Sequence, residues 1–443
     1  PGRTVMAHTD ARGLTITTAS ALAAERYLAA VELMLAAWPG ADRLLDEALA
    51  ADPDFALALA ARARVHAMAA QPAETLAALS RALSLTGSVT PRERSHVEII
   101  GLVLRGEAPT ALKQSLAHAE VWPRDATILG LPLGAFGLFA FSGMADHDQA
   151  RVDLCERHAR HYAEDDTWFL TACGWAYVEN RAVDRGRRML EASLMLQPRN
   201  ANTAHALAHG LFEAGEMAAG EAFIEGWLPG YETRGVLHGH LAWHAALAAL
   251  EQGEAERAIA HYDRHVCPAV SQGMPINIVT DGISLLWRLD ALGHAGAAER
   301  WGPVATLARR AFPRPGHAFV DAHMALLEAA QQDGEAASLR IAALKGLMAD
   351  GKLPAGAVCP ALCEAALAFA TGNHARCVEV LEAHEHEVAR IGGSGAQRQV
   401  FEDTLIIALL RAGRIEQARR RLDDRLHRRP SERDSAWRAA ALA

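Results

Sequence analysis

The chain has 443 residues, of which 51% are apolar and only 6% aromatic, and it carries a net charge of −9 at pH 7. That acidic balance excludes a general nucleic-acid binder, because phosphate recognition needs a basic face. Strong helix formers dominate and β-branched residues are sparse, which points to helices throughout.

Residues 1–18 are polar and are expected to form a disordered lead-in, with 19–443 as one continuous helical-repeat domain. The first apolar run, Ser20 to Ala37, contains Glu25, Arg26 and Glu32. It is therefore neither a signal peptide nor a membrane span, and a helix is expected over about Ala21–Ala37. Six cysteines follow along the chain (Cys155, Cys173, Cys267, Cys359, Cys363, Cys377), with no CxxC pair and no zinc-ribbon spacing. The expectation is a cytoplasmic protein with no membrane and no nucleic-acid partner.

From Gln71 onward, helix-breaking points return at Gly106, Gly143, Asn180, Gly215, Gly253, Gly293, Gly334, Gly372 and Gly413, at intervals of 35 to 41 residues. Each sits between runs of helical periodicity, and Pro or Gly marks most outer junctions, as at Pro53, Pro91, Pro123 and Pro198. This is the mark of helical hairpins, each burying its apolar face against the next. In the hairpin that turns at Gly215, the helices are expected over Ala201–Ala214 and Glu216–Trp227. In the next they fall over Leu237–Gln252 and Glu254–His265, ended by Pro268. The segments Ala48–Phe55 and Ser193–Asn200 are tetratricopeptide-like, although the Trp, Gly and Tyr consensus of the first helix is degraded. The fold expected is all-α: a tetratricopeptide-like α-solenoid, a right-handed superhelix of about ten hairpins whose first helices line a concave wall around a cavity.

Seven of the 21 histidines fall between His205 and His265. The pairs His205/His209 and His240/His244 are spaced i, i+4, which puts both rings of a pair on one helix face. His205 stands 10 residues before Gly215, His244 and His240 stand 9 and 13 before Gly253, Asp281 and Ser284 stand 12 and 9 before Gly293, and Asp321 and His323 stand 13 and 11 before Gly334. Successive first helices therefore carry titratable groups at about one height, and packed helices sit about 8–10 Å apart. Three arrangements use such residues. The rings can pack and hydrogen-bond within repeat junctions. They can chelate zinc or iron through His205, His209, His240 and His244, with Asp281 or Asp321 completing the shell. They can act as metal-free acid and base on a small anionic molecule, with His265 beside them, Arg288 one turn beyond Ser284 as a clamp, and Trp243 as a pocket wall. No cofactor is required by the sequence. A second candidate is Gly392-Gly393-Ser394-Gly395-Ala396-Gln397-Arg398, where glycines lead into a helix and Ser394, Gln397 and Arg398 add donors for an anion.

Six of these stretches together resemble the tetratricopeptide repeat protein 38 family: His205 to His209, Gly239 to His244, Tyr262 to Pro268, Asp281 to Leu289, Asp321 to His323, and Gly392 to Phe401. The stretch Thr90 to His96 adds to it. The resemblance covers nearly the whole chain and is densest from Ala201 to Gly293. It implies a tetratricopeptide-like helical array and no particular activity. One departure is Phe212, where the family often has an acidic residue; Glu213 follows, and no ligand role is carried over to it.

The functional expectation is a His/Asp/Arg-lined central cavity that binds a small molecule of anionic character and acts on it by hydrolysis or elimination, acid–base or metal-assisted. Catalysis would fall to His205, His209, His240, His244, Asp281 and His323. The alternative is a scaffold holding a peptide or partner helix in its groove, and a homodimer is compatible with either.

Overall fold

A computed structural model describes residues 6–441. The fold is all-α and tetratricopeptide-like, with antiparallel helix pairs following one another along the chain. Ala201–Glu213 pairs with Met217–Trp227, and His238–Glu251 with Ala255–His261, close to the expected bounds. The latter helix then widens into a π turn over Tyr262–Val266 before Pro268.

The repeat has a local cause. At nine of the ten expected turns a residue with positive φ ends the first helix: Ala70, Gly106, Arg181, Gly215, Gly253, Gly293, Gln332, Gly372 and Gly413. The next amide then closes back on a carbonyl five residues earlier, as Glu216 N on Leu211 O and Glu254 N on Ala249 O, both at 3.0 Å. This left-handed cap satisfies carbonyls the helix end would otherwise leave bare. Three expected turn residues need correction: Gln71, Asn180 and Gly334 flank the left-handed residue instead of supplying it, because Ala70, Arg181 and Gln332 adopt that conformation themselves. A further cap at Ala37, with Trp38 N bonded to Leu33 O at 2.8 Å, closes an earlier hairpin that no glycine marks.

Gly143 is a different feature. The preceding helix Ala126–Leu133 is cut short at Pro132, and Gly143 follows a 3₁₀ turn over Ala140–Ser142. A Cβ added there would run into the Pro354 carbonyl, so no side chain fits. The disordered lead-in is also corrected. Strand β1 (Met6–Thr9) pairs antiparallel with β2 (Thr15–Thr18), Met6 opposite Thr18. The Asp10 carboxylate accepts from the amides of Arg12 and Leu14, which fixes the turn. Thr17 N donates to Glu93 Oε1 at 2.6 Å, which pins the hairpin to the helices.

Where one continuous domain was expected, the chain clusters into two compact units. The first comprises residues up to Phe139 with Arg151–Cys173 and Glu191–Thr203; the second comprises Ala140–Ala150, Gly174–Leu190 and everything from Ala204. The first unit packs around Tyr27, Leu45, Phe55, Leu57, Ile99 and Ile128. Its Asp125 accepts from Arg92 at 2.7 Å and from His96 at 2.9 Å. The second unit buries an ion network in which Asp403 is bonded to Arg288, Arg425 and Arg433. No described helix is long and apolar enough to cross a membrane.

Candidate functional site

The two i, i+4 histidine pairs lie on adjacent first helices of the second unit and point at one another. His205 Nε2 is 3.0 Å from His209 Nε2 and 3.0 Å from His240 Nε2. His244 joins them, its ring centroid 4.2 Å from that of His209. One ring nitrogen from each of the four histidines falls within 4.8 Å of the others. All four residues are buried, and neither nitrogen of His244 has a hydrogen-bond partner among the described residues. Trp175 stacks on His205 and meets His209 edge-on, while Trp243 lies parallel to His240 at 5.3 Å. The indoles wall the cluster from solvent on those sides.

Carboxylates hold two rings from behind. His240 Nδ1–H donates to Asp281 Oδ2 at 2.6 Å. His209 Nδ1 is 3.0 Å from Glu179 Oε1, as an ion-pair contact without good hydrogen-bond alignment. Placing the protons on Nδ1 leaves both Nε2 atoms as lone pairs facing His205. Burial and the neighbouring imidazoles hold His205 and His244 well below the usual histidine range, so both stay neutral. Burial raises the Asp281 carboxyl against the opposing pull of His240. At Glu179 burial acts in the same upward direction, but the nearby His209 outweighs it and the carboxyl is lowered.

The glycine-rich segment belongs to this same centre. Gly395 N donates to Glu179 Oε2 at 2.8 Å, and Gln397 Nε2 reaches Asp281 Oδ1 at 3.5 Å. Ser394 and Gln397 form a reciprocal capping box, so their polar groups are engaged in starting the helix Gly395–Arg411. Gly392 and Gly393 both have positive φ, and a Cβ on Gly392 would stand 2.6 Å from the Phe141 ring. Only glycines allow the chain to turn there. Arg398 binds Asp148 at 3.2 Å and the Gly393 carbonyl at 2.5 Å. The anion site expected here is therefore replaced by a brace for the two carboxylates.

Several expected site residues lie elsewhere or are otherwise engaged. Arg288 is no ligand clamp: its Nε donates to Asp403 Oδ2 at 2.8 Å, and it also reaches the carbonyls of Ser284 and Ala396. Ser284 Oγ donates to the Asp281 carbonyl at 3.2 Å. Asp321 accepts from the amides of Gly316 and His317 and from Arg340, so it completes no shell with the imidazoles. His323 binds the Phe319 carbonyl through Nδ1 at 2.8 Å, with its ring against Phe319 and Phe401. His265 sits against His238, ring centroids 5.3 Å apart, beside a separate cavity of about 370 Å³. A larger cavity of about 660 Å³ in this unit is lined by Glu179, Glu213, Gly395 and Arg398 and by none of the four imidazoles. Glu179 was missed by the sequence reading. It ends its helix one residue before the Asn180 turn, far from the height at which the other groups stand.

His323 carries a testable pH dependence. Burial, opposed by the Phe319 bond, lowers its pKa to about 4. A lowered folded-state value contributes stability that is full above the unfolded value, about 6.5, and is lost as pH falls toward 4. The protein is expected to lose up to about 3 kcal/mol across that window from this ring alone. Urea unfolding at pH 7 and pH 4.5 should show a smaller drop for His323→Phe than for the parent.

No family model matches the chain. Among solved structures, the crystal structure of yeast Tom70 aligns over 95% of this chain and 88% of its own, at 13% identity and a TM-score of 0.32. The Naa15/Naa10 complex bound to HypK-THB aligns over 83% of this chain and 63% of its own, at 12% identity and a TM-score of 0.25. The P58(IPK) TPR domain aligns over 88% of this chain and 98% of its own, at 14% identity and a TM-score of 0.20. Likenesses this distant carry no argument about activity.

Proposed function

We propose that this helical-repeat protein is a metalloprotein, holding a divalent ion of the zinc or iron class on His205, His209 and His240 and using it in the hydrolysis of a small molecule. One observation carries the reading: His205 Nε2 stands 3.0 Å from both His209 Nε2 and His240 Nε2, while the last two rings turn their Nδ1 atoms to carboxylates. Three inward Nε2 atoms share at most one proton, so at least two present lone pairs to the space between them, an arrangement that a cation there would satisfy. Zinc–nitrogen bonds of about 2.0–2.1 Å in a tetrahedron put nitrogens about 3.3 Å apart, close to what is seen. Imidazole suits zinc and iron alike, and a carboxylate behind each ring is the usual way to fix its tautomer. Bound there, the ion would supply Lewis acidity and lower the pKa of a water in its remaining position. The stretches behind the resemblance to the tetratricopeptide repeat protein 38 family include these histidines and the brace behind them, so membership of that family is part of the same proposal.

Elemental analysis of untagged protein, purified without chelator, tests this directly. About one equivalent of transition metal is expected, with a melting temperature that falls on chelation and recovers on adding zinc. A blank, together with no thermal response to zinc or ferrous iron, sinks the reading and leaves the alternative of a scaffold for a peptide or partner helix.

A further inference from the structure

The first unit contains an arginine with no counter-ion among its described residues. Three other partly or fully buried arginines of this unit are ion-paired: Arg92 with Asp125 at 2.7 Å, Arg12 with Asp166 at 3.0 Å, and Arg62 with Asp46 at 2.7 Å, while the fully buried Arg151 donates to the Gly134 carbonyl at 3.0 Å. Arg64, on the helix Ala56–Met68, has no acidic partner among the described residues. It is only partly exposed, and burial pulls its guanidinium below the usual value. The nearby Tyr27 phenol is pushed up by its own burial and stays neutral, so it does not balance the charge. An uncompensated charge of this kind opposes folding and is seldom held without a use.

Arg64 faces a cavity of about 160 Å³. Tyr27, Val31 and Trp168 give it apolar and aromatic wall, and His96 and Thr127 add polar edges. These residues come from five helices of the unit, and each of the five is the first member of its hairpin or of a truncated one. His96 spends its Nδ1 on Asp125, 2.9 Å away. A planar guanidinium recognises a carboxylate with two parallel bonds, and a flat apolar body suits the aromatic wall. The walls disfavour a bare inorganic ion, which would have to shed its water against carbon.

We propose that this cavity binds a small organic monocarboxylate, its carboxylate on Arg64 and its body against Tyr27 and Trp168. The site is separate from the imidazole cluster and does not depend on a metal there.

Calorimetric titration of the whole 443-residue chain with benzoate, hexanoate and inorganic phosphate tests it. Saturable binding of at least one carboxylate is expected, with phosphate giving none. Arg64→Met should weaken that binding at least tenfold, and Arg64→Lys should keep part of it. Arg64→Met should also melt no lower than the parent, since it removes an unmatched charge. On the parent protein, the bound carboxylate should slow phenylglyoxal modification of Arg64, read by mass spectrometry. Carboxylate binding that survives Arg64→Met, phosphate binding more tightly than either carboxylate, absence of saturable heat from all three probes, or unprotected modification would each overturn the proposal.

Discussion

His205→Ala protein is expected to hold zinc about two orders of magnitude more weakly than the parent while keeping its helical content. Metal binding at such sites is worth about 10–16 kcal/mol in all, so a share of about 3 kcal/mol per ligand sets the scale. His205 is the right position to test because its Nε2 alone touches both of the other inward nitrogens. Its loss also relieves crowding between neutral rings, so the fold should tolerate it. Asp281→Asn is the companion variant. It keeps the size of the side chain but can leave His240 Nδ1 facing an amide, which frees the ring to take the wrong tautomer. A loss of about 10- to 100-fold in affinity is expected. Competition against a chromophoric chelator measures both, with circular dichroism as the control. Equal affinity in parent and His205→Ala would remove the cluster as the metal site.

Asp403→Asn is expected to cost about 3–5 kcal/mol of stability, the scale for breaking a buried ion pair by removing one partner. One carboxylate serves three cations: Oδ1 takes Arg425 at 2.7 Å and Arg433 at 3.1 Å, and Oδ2 takes Arg288 at 2.8 Å. An amide keeps one acceptor and turns an NH₂ toward a guanidinium. Burial alone would raise the Asp403 carboxyl, but Arg433, Arg425 and Arg288 together hold it far below its usual value. The same network lowers Glu251 to about 2 against the same opposing effect of burial. Lowered carboxyls contribute stability that is full above their unfolded values and lost as pH falls toward the folded ones. The gap between parent and Asp403→Asn in urea midpoint should therefore be widest near neutral pH and shrink below about pH 4. A gap that widens in acid would show that the network is not what the substitution breaks.

The hairpin turns were legible because a left-handed helix cap favours glycine, and where glycine occupied it the residue was found, as at Gly215 and Gly253. Where Ala70, Arg181 and Gln332 take that conformation, the reading slipped by one or two positions, since nothing in those side chains announces it. Counting back from the turns brought His205, His240, His244 and Asp281 to one place. It also drew in Arg288, because sequence cannot show that Asp403, 115 residues later, already holds that guanidinium. Glu179 stayed hidden for the same reason in reverse: its contacts are His209 on the next hairpin's first helix and Gly395, 216 residues away. The β-hairpin at the start was passed over because Thr-rich strands this short show no apolar alternation, although Asp10 and Gly13 mark its turn.

Gly395 and Gln397 reach back across more than a hundred residues to the carboxylates behind His209 and His240. A ribosome that has delivered all four imidazoles must still add some 150 residues before those rings are fixed in orientation. The cluster is thus completed late in synthesis, and a chain interrupted before that point carries the four imidazoles with the carboxylates behind two of them still unbraced.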